Sequence, residues 1–467
     1  MTTLLLRADA RPSLGVGHLS RCVALAEAAV ARGWRVFFAG EVVGADWLAE
    51  RLVAIGVPML PAAPLAPQAV EVGADVVLVD HYELGEQPEV REVARLVSLE
   101  DGRFGRRAAD VVVDANLYTV PRPADGTPVV LAGPRFAALR ADVVAARAPY
   151  QANGTPRVVV VMGGGARGEA VKAALNALRD TGLPMSVRAI SAEPVAVVPG
   201  EGQTFTVGRP TTALPALLAE ADLVVSAAGV TLLELCCVGA PAALVRLADN
   251  QAAGYSAALT QGLAAGLGEV ADLPTAVDTL RALLTDPAAR AGLAAAGSST
   301  VDGQGADRIL DACELSVRPA SSADADLLLA WRNDPSTVAW SRDPRPVAAD
   351  EHRTWLGASL DDPDRLLFVV AADRPVGTVR FDRAADGAWE VSITVAPAER
   401  GRGLAGRVLA MGEGALFANA APTRLLANVH RDNAASRALF HRAGYVPIDR
   451  PADGSFGWLA KPSPPRL

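Results

Sequence analysis

Cysteine is scarce in this 467-residue chain, and its four residues show no regular spacing. That excludes a disulfide framework and points to a reducing compartment. Cys236-Cys237 fall in an apolar helical run, where burial is their expected role. Histidine is rare as well, with five residues, and no Cys/His cluster has zinc spacing, so no metal site is expected. A basic excess is also missing. The formal net charge is -8 and the basic residues are scattered, which argues against nucleic acid or an anionic membrane as a partner. No basic segment leads into an uninterrupted apolar stretch at the N-terminus, so no signal peptide is expected. The most apolar window, Leu223 to Leu247, is broken by Ser226, Gly229, Glu234, Gly239 and Pro241. It reads as a buried strand, helix and strand rather than a membrane span. The low aromatic share, with abundant Ala, Arg and Pro, is a mark of genome composition and carries no function. Hydrophobic residues make up 51% of the chain, and the length calls for two or three domains. A soluble, cytoplasmic globular protein is expected.

What is present is concentrated at strand-to-helix turns. A short apolar strand, Leu4 to Leu6, leads through Arg7-Ala8-Asp9 to Gly15-Val16-Gly17-His18 and Arg21-Cys22. Leu19, Cys22, Val23, Ala26 and Val30 then recur at helical spacing, and Gly33 follows as a stop. Strand, glycine turn and helix start would bring backbone N–H groups and one imidazole to the carboxyl edge of a parallel sheet, where open α/β folds bind ligands. A neutral imidazole there can take a proton from water; equally, a histidine in such a turn can simply cap a helix. The string closely resembles the start of the UDP-sugar hydrolases of pseudaminic acid synthesis, a family that includes spore-coat polysaccharide proteins. Their fold is similar to that of the glycosyltransferase that forms lipid II. The resemblance implies a general-base role for His18 and substrate contacts from Arg7, Asp9, Gly15, Gly17 and Arg21.

Along residues 1–148, β-like runs (Leu4 to Leu6, Val36 to Ala39, Val76 to Asp80, Val111 to Asp114, Val129 to Ala132) alternate with helical patterns, the mark of a parallel sheet wrapped by helices. Asp80-His81-Tyr82 falls at the end of the third run. The family has a similar "DHY", which makes His81 and Tyr82 candidates to line a sugar pocket, although an ordinary strand-end turn explains them nearly as well. Where the family has paired aspartates, this chain has Glu100-Asp101. These carboxylates could bind sugar hydroxyls or amides, orient His18, or form a solvated turn. Gly133 to Arg140 matches a family segment before the crossover, and Ala146 to Pro156 reads as a linker.

A second unit, 156–312, opens with Arg157 to Val161 running into Met162-Gly163-Gly164-Gly165. Gly163 and Gly164 allow a phosphate to approach the backbone closely, but the Asp usual in the family soon afterwards is replaced by Ala166-Arg167. Leu223 to Ala227 reads as a buried strand, with Ala228 and a helix start near Gly229 whose amides can face a diphosphate. This resembles the uridine-diphosphate site of GT-B-type enzymes. The resemblance implies that Glu234 accepts the ribose hydroxyls and that Asn250 and Gln251 contact phosphate or sugar. Leu273 to Ala296 reads as helical, Gly297 to Gly305 as a turn, and a further helix ends near Cys313.

A third unit, 314–467, carries strands at Leu367 to Ala371, Val376 to Phe381 and Trp389 to Val395, the last leading to Arg400-Gly401-Arg402-Gly403-Leu404-Ala405. With Asn433, Ser436 and Phe440 to Tyr445 downstream, this resembles the GNAT acetyltransferases. Successive amides at a helix N-terminus would hold the pyrophosphate of acetyl-CoA, with Val395, Arg400 to Ala405, Asn433 and Ser436 as cofactor contacts. "WRND" (331–334) and His352 with Trp355 resemble the subgroup containing the amino-sugar N-acetyltransferase of the same pathway. Glu390 is the candidate base and His352 its competitor. Phe440 stands where the family commonly has a tyrosine acid.

The resemblances imply an α/β architecture, a GT-B-type pair of Rossmann-like domains followed by an α+β GNAT domain. They further imply hydrolysis of a UDP-2,4-diacetamido-2,4,6-trideoxyhexose after N-acetylation of the 4-amino group of its precursor. Acetyl-CoA is the expected co-substrate and a UDP-activated amino sugar the expected partner. A glycosyltransferase on the same fold and a non-catalytic sugar-nucleotide scaffold carrying an acetyltransferase are the rival readings.

Overall fold

The computed structural model describes residues 1–11, 15–152, 154–163, 167–372, 374–451 and 454–463. Three sheets organise them. The first contains β1 (Thr3–Arg7), β2 (Arg35–Ala39), β3 (Met59–Leu60), β4 (Val76–Asp80), β5 (Arg95–Glu100), β6 (Val111–Asp114) and β7 (Val130–Ala132). All pairs are parallel, in the order β3-β2-β1-β4-β5-β6-β7. Unbroken runs such as Val76-Val77-Leu78-Val79 suit strands buried on both faces, as parallel sheets require. The order reverses between β1 and β4, so the turns after these two strands meet at a switch point, where open α/β sheets bind ligands.

The second sheet repeats the plan with β8 (Arg157–Val161), β9 (Met185–Ile190), β10 (Gln203–Gly208), β11 (Leu223–Ala227), β12 (Ala242–Arg246) and β13 (Ala265–Glu269), again all parallel. Its order is β10-β9-β8-β11-β12-β13, which puts the switch point between β8 and β11. The third sheet, β14 (Ser316–Pro319), β15 (Arg365–Ala371), β16 (Pro375–Arg383), β17 (Trp389–Val395), β18 (Arg424–His430), β19 (Val446–Pro447) and β20 (Phe456–Pro462), is antiparallel except for β17 and β18. Those two pair in parallel only from Trp389 to Val391 and then part, leaving a cleft between their carboxyl ends.

Several boundaries differ from the sequence reading for identifiable reasons. Strands β3, β5, β9 and β10 are additional; β5 mixes Arg95 and Ser98 into its apolar run and β10 is mostly polar. The expected turn at Gly297 is instead the continuation of the helix Pro287–Thr300. There Ser299 and Thr300 bond back to the Ala296 carbonyl, and a Cβ at position 297 would lie 3.1 Å from Cys236 Cα. The helix Gly305–Glu314 does not pack on the second sheet that precedes it. Ile309, Leu310 and Cys313 enter the core of the first sheet, and Arg32 binds Asp307 and Asp311. The same core continues into the third unit, where Met411, Ala415 and Leu416 of the helix Leu404–Asn419, which lies on β7, share it with Val129 and with Leu131 of β7. The chain between 1 and 148 is therefore closed by two later helices, one from each following unit.

Candidate functional site

At the first switch point the side chains form two connected polar groups. One is a brace. Arg7 forks onto Asp9, which also accepts from the Glu41 amide (2.8 Å) and from His81 Nε2 (2.9 Å). Burial alone would raise the Asp9 carboxyl, but these donors overcome it and hold it well below the usual carboxylate range. His81 Nδ1 accepts from the amides of Glu83 and Leu84 (3.0 and 3.1 Å), so its proton sits on Nε2 and both ring nitrogens are occupied. Arg7, Asp9 and His81 thus tie the ends of β1 and β4 together, and His81, expected to line a sugar pocket, has both ring nitrogens engaged in this brace.

The other group contains His18, in the first turn of the helix Gly17–Ala31. Its Nδ1 lies 2.6 Å from Asp80 Oδ1 at the end of β4. Arg21, one turn on, donates to the same carboxylate from Nε (2.6 Å) and Nη2 (2.7 Å). Burial pushes the Asp80 carboxyl up, yet the Arg21 charge and the bonds from Arg21 and His18 hold it far below its ordinary value. His18 Nδ1 also lies 3.0 Å from Arg21 Nη2, but the bond to the Asp80 carboxylate, which only accepts, is the shorter and puts the imidazole proton on Nδ1, leaving the lone pair on Nε2. Asp80 was overlooked as a site residue in the sequence, although it opens the "DHY" string. The expectation that Glu100-Asp101 could orient His18 is corrected, because Asp101 instead accepts from the Tyr82 hydroxyl at 2.7 Å and Glu100 pairs with Arg122. Tyr82 in turn sets its ring edge-to-face on His18, with centroids 4.3 Å apart.

Asn116 Nδ2 bridges Asp101 (2.9 Å) and Asp114 (2.7 Å). Burial drives the Asp114 carboxyl up to about 7, opposed by Asn116 and helped by Asp101 and Glu100. Its folded value thus exceeds the ordinary 3.8, so its stabilisation is full at low pH and is lost as pH rises through about 7. The loss runs between 3.8 and about 7, so unfolding temperatures measured across that range are expected to fall less in Asp114→Asn than in the parent protein.

At the second switch point Gly163 is exposed after β8 with φ +80°; Gly164 and Ala166 lie outside the described residues. Ala228 and Gly229 precede the helix Thr231–Val238, which begins two residues later than expected. This turn faces the histidine turn: a Cβ at Gly17 would lie 3.2 Å from Val230 Cγ2. Glu234 is buried one turn into the helix and accepts from Arg140 Nη1 (3.1 Å), which also donates to Ser20 Oγ (2.6 Å) on the histidine helix. Burial raises the Glu234 carboxyl and Arg140 opposes that rise. Arg140 was not read as a site residue, yet it links the two switch points. Gln251 Nε2 lies near Gly229, its Oε1 accepting from the Leu247 amide (2.9 Å), while Asn250 is exposed. Gly15 (φ +76°) turns the chain back on Arg11. His18, Arg21, Glu234 and Gln251 therefore stand around the two facing turns, with Arg7, Asp9 and His81 bracing the strand ends beside them.

In the third unit, Gly401 (φ +76°) and Gly403 (φ +75°) turn the chain into the helix Leu404–Asn419 with its amides facing out between β17 and β18. A side chain other than glycine is strained at such φ values. The Arg400 guanidinium does not point into the loop: it binds Asp334 (2.5 Å), Ser336 and Thr337 (2.7 Å) and so fastens the loop to the helix Pro335–Ala339. Arg402 pairs with Glu399 at 2.6 Å. The Arg400 side chain, expected to contact the cofactor, thus anchors the loop, and only the backbone of 401–405 faces the opening between the strands. Asn433 Oδ1 caps the Ser436 amide (3.0 Å), spending that oxygen on the helix Ala434–Arg442. Glu390 stands just before the strands part and is ion-paired with Arg342. His352 is buried in the helix Ala349–Asp361 on β15, two strands from β17, and burial lowers its pKa. That position lies away from the parted ends of β17 and β18. Phe440 and Tyr445 are both buried, and the Tyr445 hydroxyl donates to Glu413 (2.9 Å) on the far side of the sheet.

Among the described residues no group of His, Cys, Asp or Glu could hold a metal ion, and no helix is long and apolar enough to cross a membrane. Residues 314–446 match the acetyltransferase (GNAT) domain family. No curated protein matches the chain. Among solved structures, MurG from Acinetobacter baumannii is similar at 16% identity and TM-score 0.51, over 67% of this chain and 99% of MurG. A domain from Methanocaldococcus jannaschii aligns over 32% of this chain and 98% of its own length, at 18% identity and TM-score 0.29. Spermidine N-acetyltransferase from Vibrio cholerae, solved with CoA and spermine, aligns over 32% of this chain and 94% of its own, at 17% identity and TM-score 0.28. The chain joins a GT-B-type pair of Rossmann-like domains, the fold of MurG, to a C-terminal domain of the GNAT acetyltransferase class.

Proposed function

We propose that this is a bifunctional nucleotide-sugar enzyme of nonulosonic (pseudaminic-type) acid synthesis. Its C-terminal domain acetylates the 4-amino group of a UDP-amino sugar, and its N-terminal pair hydrolyses the product to UDP and the free diacetamido trideoxyhexose. The observation that carries the reading is the His18–Asp80–Arg21 group facing the start of the helix Thr231–Val238. In the hydrolytic step a water oxygen bonds to the anomeric carbon and its proton passes to His18 Nε2. The bond from that carbon to the diphosphate oxygen breaks, and UDP leaves toward the amides of that helix, where the dipole favours its charge. Glu234, held by Arg140, is placed to accept ribose hydroxyls. In the acetylation the amine nitrogen bonds to the thioester carbonyl carbon, the carbon–sulfur bond breaks, and the amine proton passes through water to the Glu390 carboxylate. CoA departs as thiolate, since Phe440 offers no proton.

The test is UDP release by the intact chain from a UDP-4-amino-4,6-dideoxy-N-acetyl sugar. Release that depends on acetyl-CoA supports acetylation followed by hydrolysis; accumulation of the acetylated nucleotide without release removes the hydrolase. The likeness to MurG favours one rival, a glycosyltransferase, which predicts that release requires an added acceptor. On the acetyl-CoA side, Gly403→Val forces a branched side chain into φ +75°, a strain of about 1–3 kcal/mol. It is expected to weaken acetyl-CoA binding by about tenfold or more in calorimetry, while UDP release from the pre-acetylated sugar is unchanged.

A further inference from the structure

The parted strands β17 and β18 expose one face on which Glu390 alone has been given a role. The registers put Glu390, Ser392, Asn428, His430, Phe456 and Trp458 on that same face. Asn428 is the first residue of β18 beyond the last pair with β17, so it stands where the cleft opens. Its Oδ1 is buried and has no hydrogen-bond partner. Whichever amide atom takes the inner position, a polar group sits there unpaired, an unfavourable arrangement that a bound donor or acceptor removes. Two residues on, the His430 ring is flanked by Trp340 (centroids 5.2 Å) and Phe456 (5.2 Å). His430 Nδ1 accepts from the Asp432 amide at 3.2 Å, so in the neutral ring Nε2 carries an N–H. Trp340 is 42% exposed, so the ring that flanks His430 also presents apolar surface beside the cleft.

We propose that Asn428, His430, Trp340 and Phe456 form the acceptor subsite of the acetyltransferase and select a ring-borne amine. Asn428 takes an N–H of the attacking amine, His430 donates to a ring hydroxyl or amide oxygen, and the aromatic groups cover the C–H face of the ring. A linear polyamine is disfavoured, because the only carboxylate of this face on β17, β18 and β20 is Glu390, already neutralised by Arg342. The choice of an amino sugar rests on the function proposed above; the assignment of the residues does not.

The experiment follows CoA thiol release by the full chain with the UDP-4-amino sugar or with spermine, and acetyl-CoA binding by calorimetry. Asn428→Ala and the exposed-site variant Trp340→Ala are each expected to raise KM for the amino sugar about tenfold, with acetyl-CoA binding unchanged. If the parent protein acetylates spermine and not the amino sugar, the proposed substrate falls, and the residue assignment then stands only if the same variants raise KM for spermine. Wild-type KM values in both variants, or no acetylation of either amine, overturn the subsite.

Discussion

His18→Ala should lower UDP release by about 10² to 10⁴-fold, the contribution of a positioned general base, while leaving affinity for the UDP-sugar close to that of the parent. In the proposed function the sugar nucleotide is held elsewhere, by the start of the helix Thr231–Val238, Glu234 and Gln251. In that reading His18 acts on the attacking water and takes no part in holding the nucleotide. Asp80→Asn is the sharper companion. Asp80 accepts from His18 Nδ1 and from two Arg21 nitrogens, and an amide in its place would turn an N–H toward one of those donors. Either the imidazole shifts its proton to Nε2 and loses its basic face, or Arg21 swings away. Both outcomes lower kcat with little effect on KM. Rates for the two variants, measured against the same pre-acetylated UDP-sugar, separate base from orienter: a double variant no slower than His18→Ala alone shows that Asp80 acts through His18. Turnover undiminished in His18→Ala, with binding intact, would remove the histidine from the chemistry.

How much of this was legible depended on whether the geometry was local. The turn carrying His18 and the loop Arg400 to Ala405 are strand–glycine–helix segments, and their backbone shape follows from residues a few positions apart. Both were read from the sequence. Partners of those residues were not, because they come from strand order. Asp80 lies 62 residues from His18 and meets it only because the sheet reverses between β1 and β4; Asp101 follows β5, one strand farther out, and reaches Tyr82 instead. Arg400 fits its motif, but Asp334, 66 residues earlier, draws the guanidinium away from the loop. Arg140 carried no motif of its own, although the family-like segment Gly133 to Arg140 ended on it. The helix Gly305–Glu314 had a clear apolar stripe, and nothing in a stripe says which of two sheets it will cover.

The second large effect is expected where the acetyltransferase meets the first sheet. Glu413, in the helix that lies on β7, is buried and accepts from Tyr445 (2.9 Å) and Lys461 Nζ (2.6 Å), with Arg135 of the first unit 3.7 Å away. Burial depresses the Lys461 ammonium to about 8, with Glu413 opposing and Arg135 assisting that fall. Glu413→Gln removes the one anion among these cations and leaves Lys461 buried beside Arg135, so a loss of about 3–5 kcal/mol is expected, read as a lower urea midpoint. Glu413→Leu with Lys461→Met keeps the volume and removes both charges. It is expected to recover most of that loss, as buried ion pairs replaced by apolar residues commonly do. The next residue of the helix explains why the effect should reach both activities. A Cβ at Gly414 would lie 2.7 Å from Val129 Cγ1, so the helix and the edge of the first sheet share one packed surface. Melting that surface releases β7 along with the helix that follows the acetyl-CoA loop. Glu413→Gln should therefore lose UDP release and acetylation at the same denaturant concentration, whereas two separate midpoints would show that the units hold together independently of this contact.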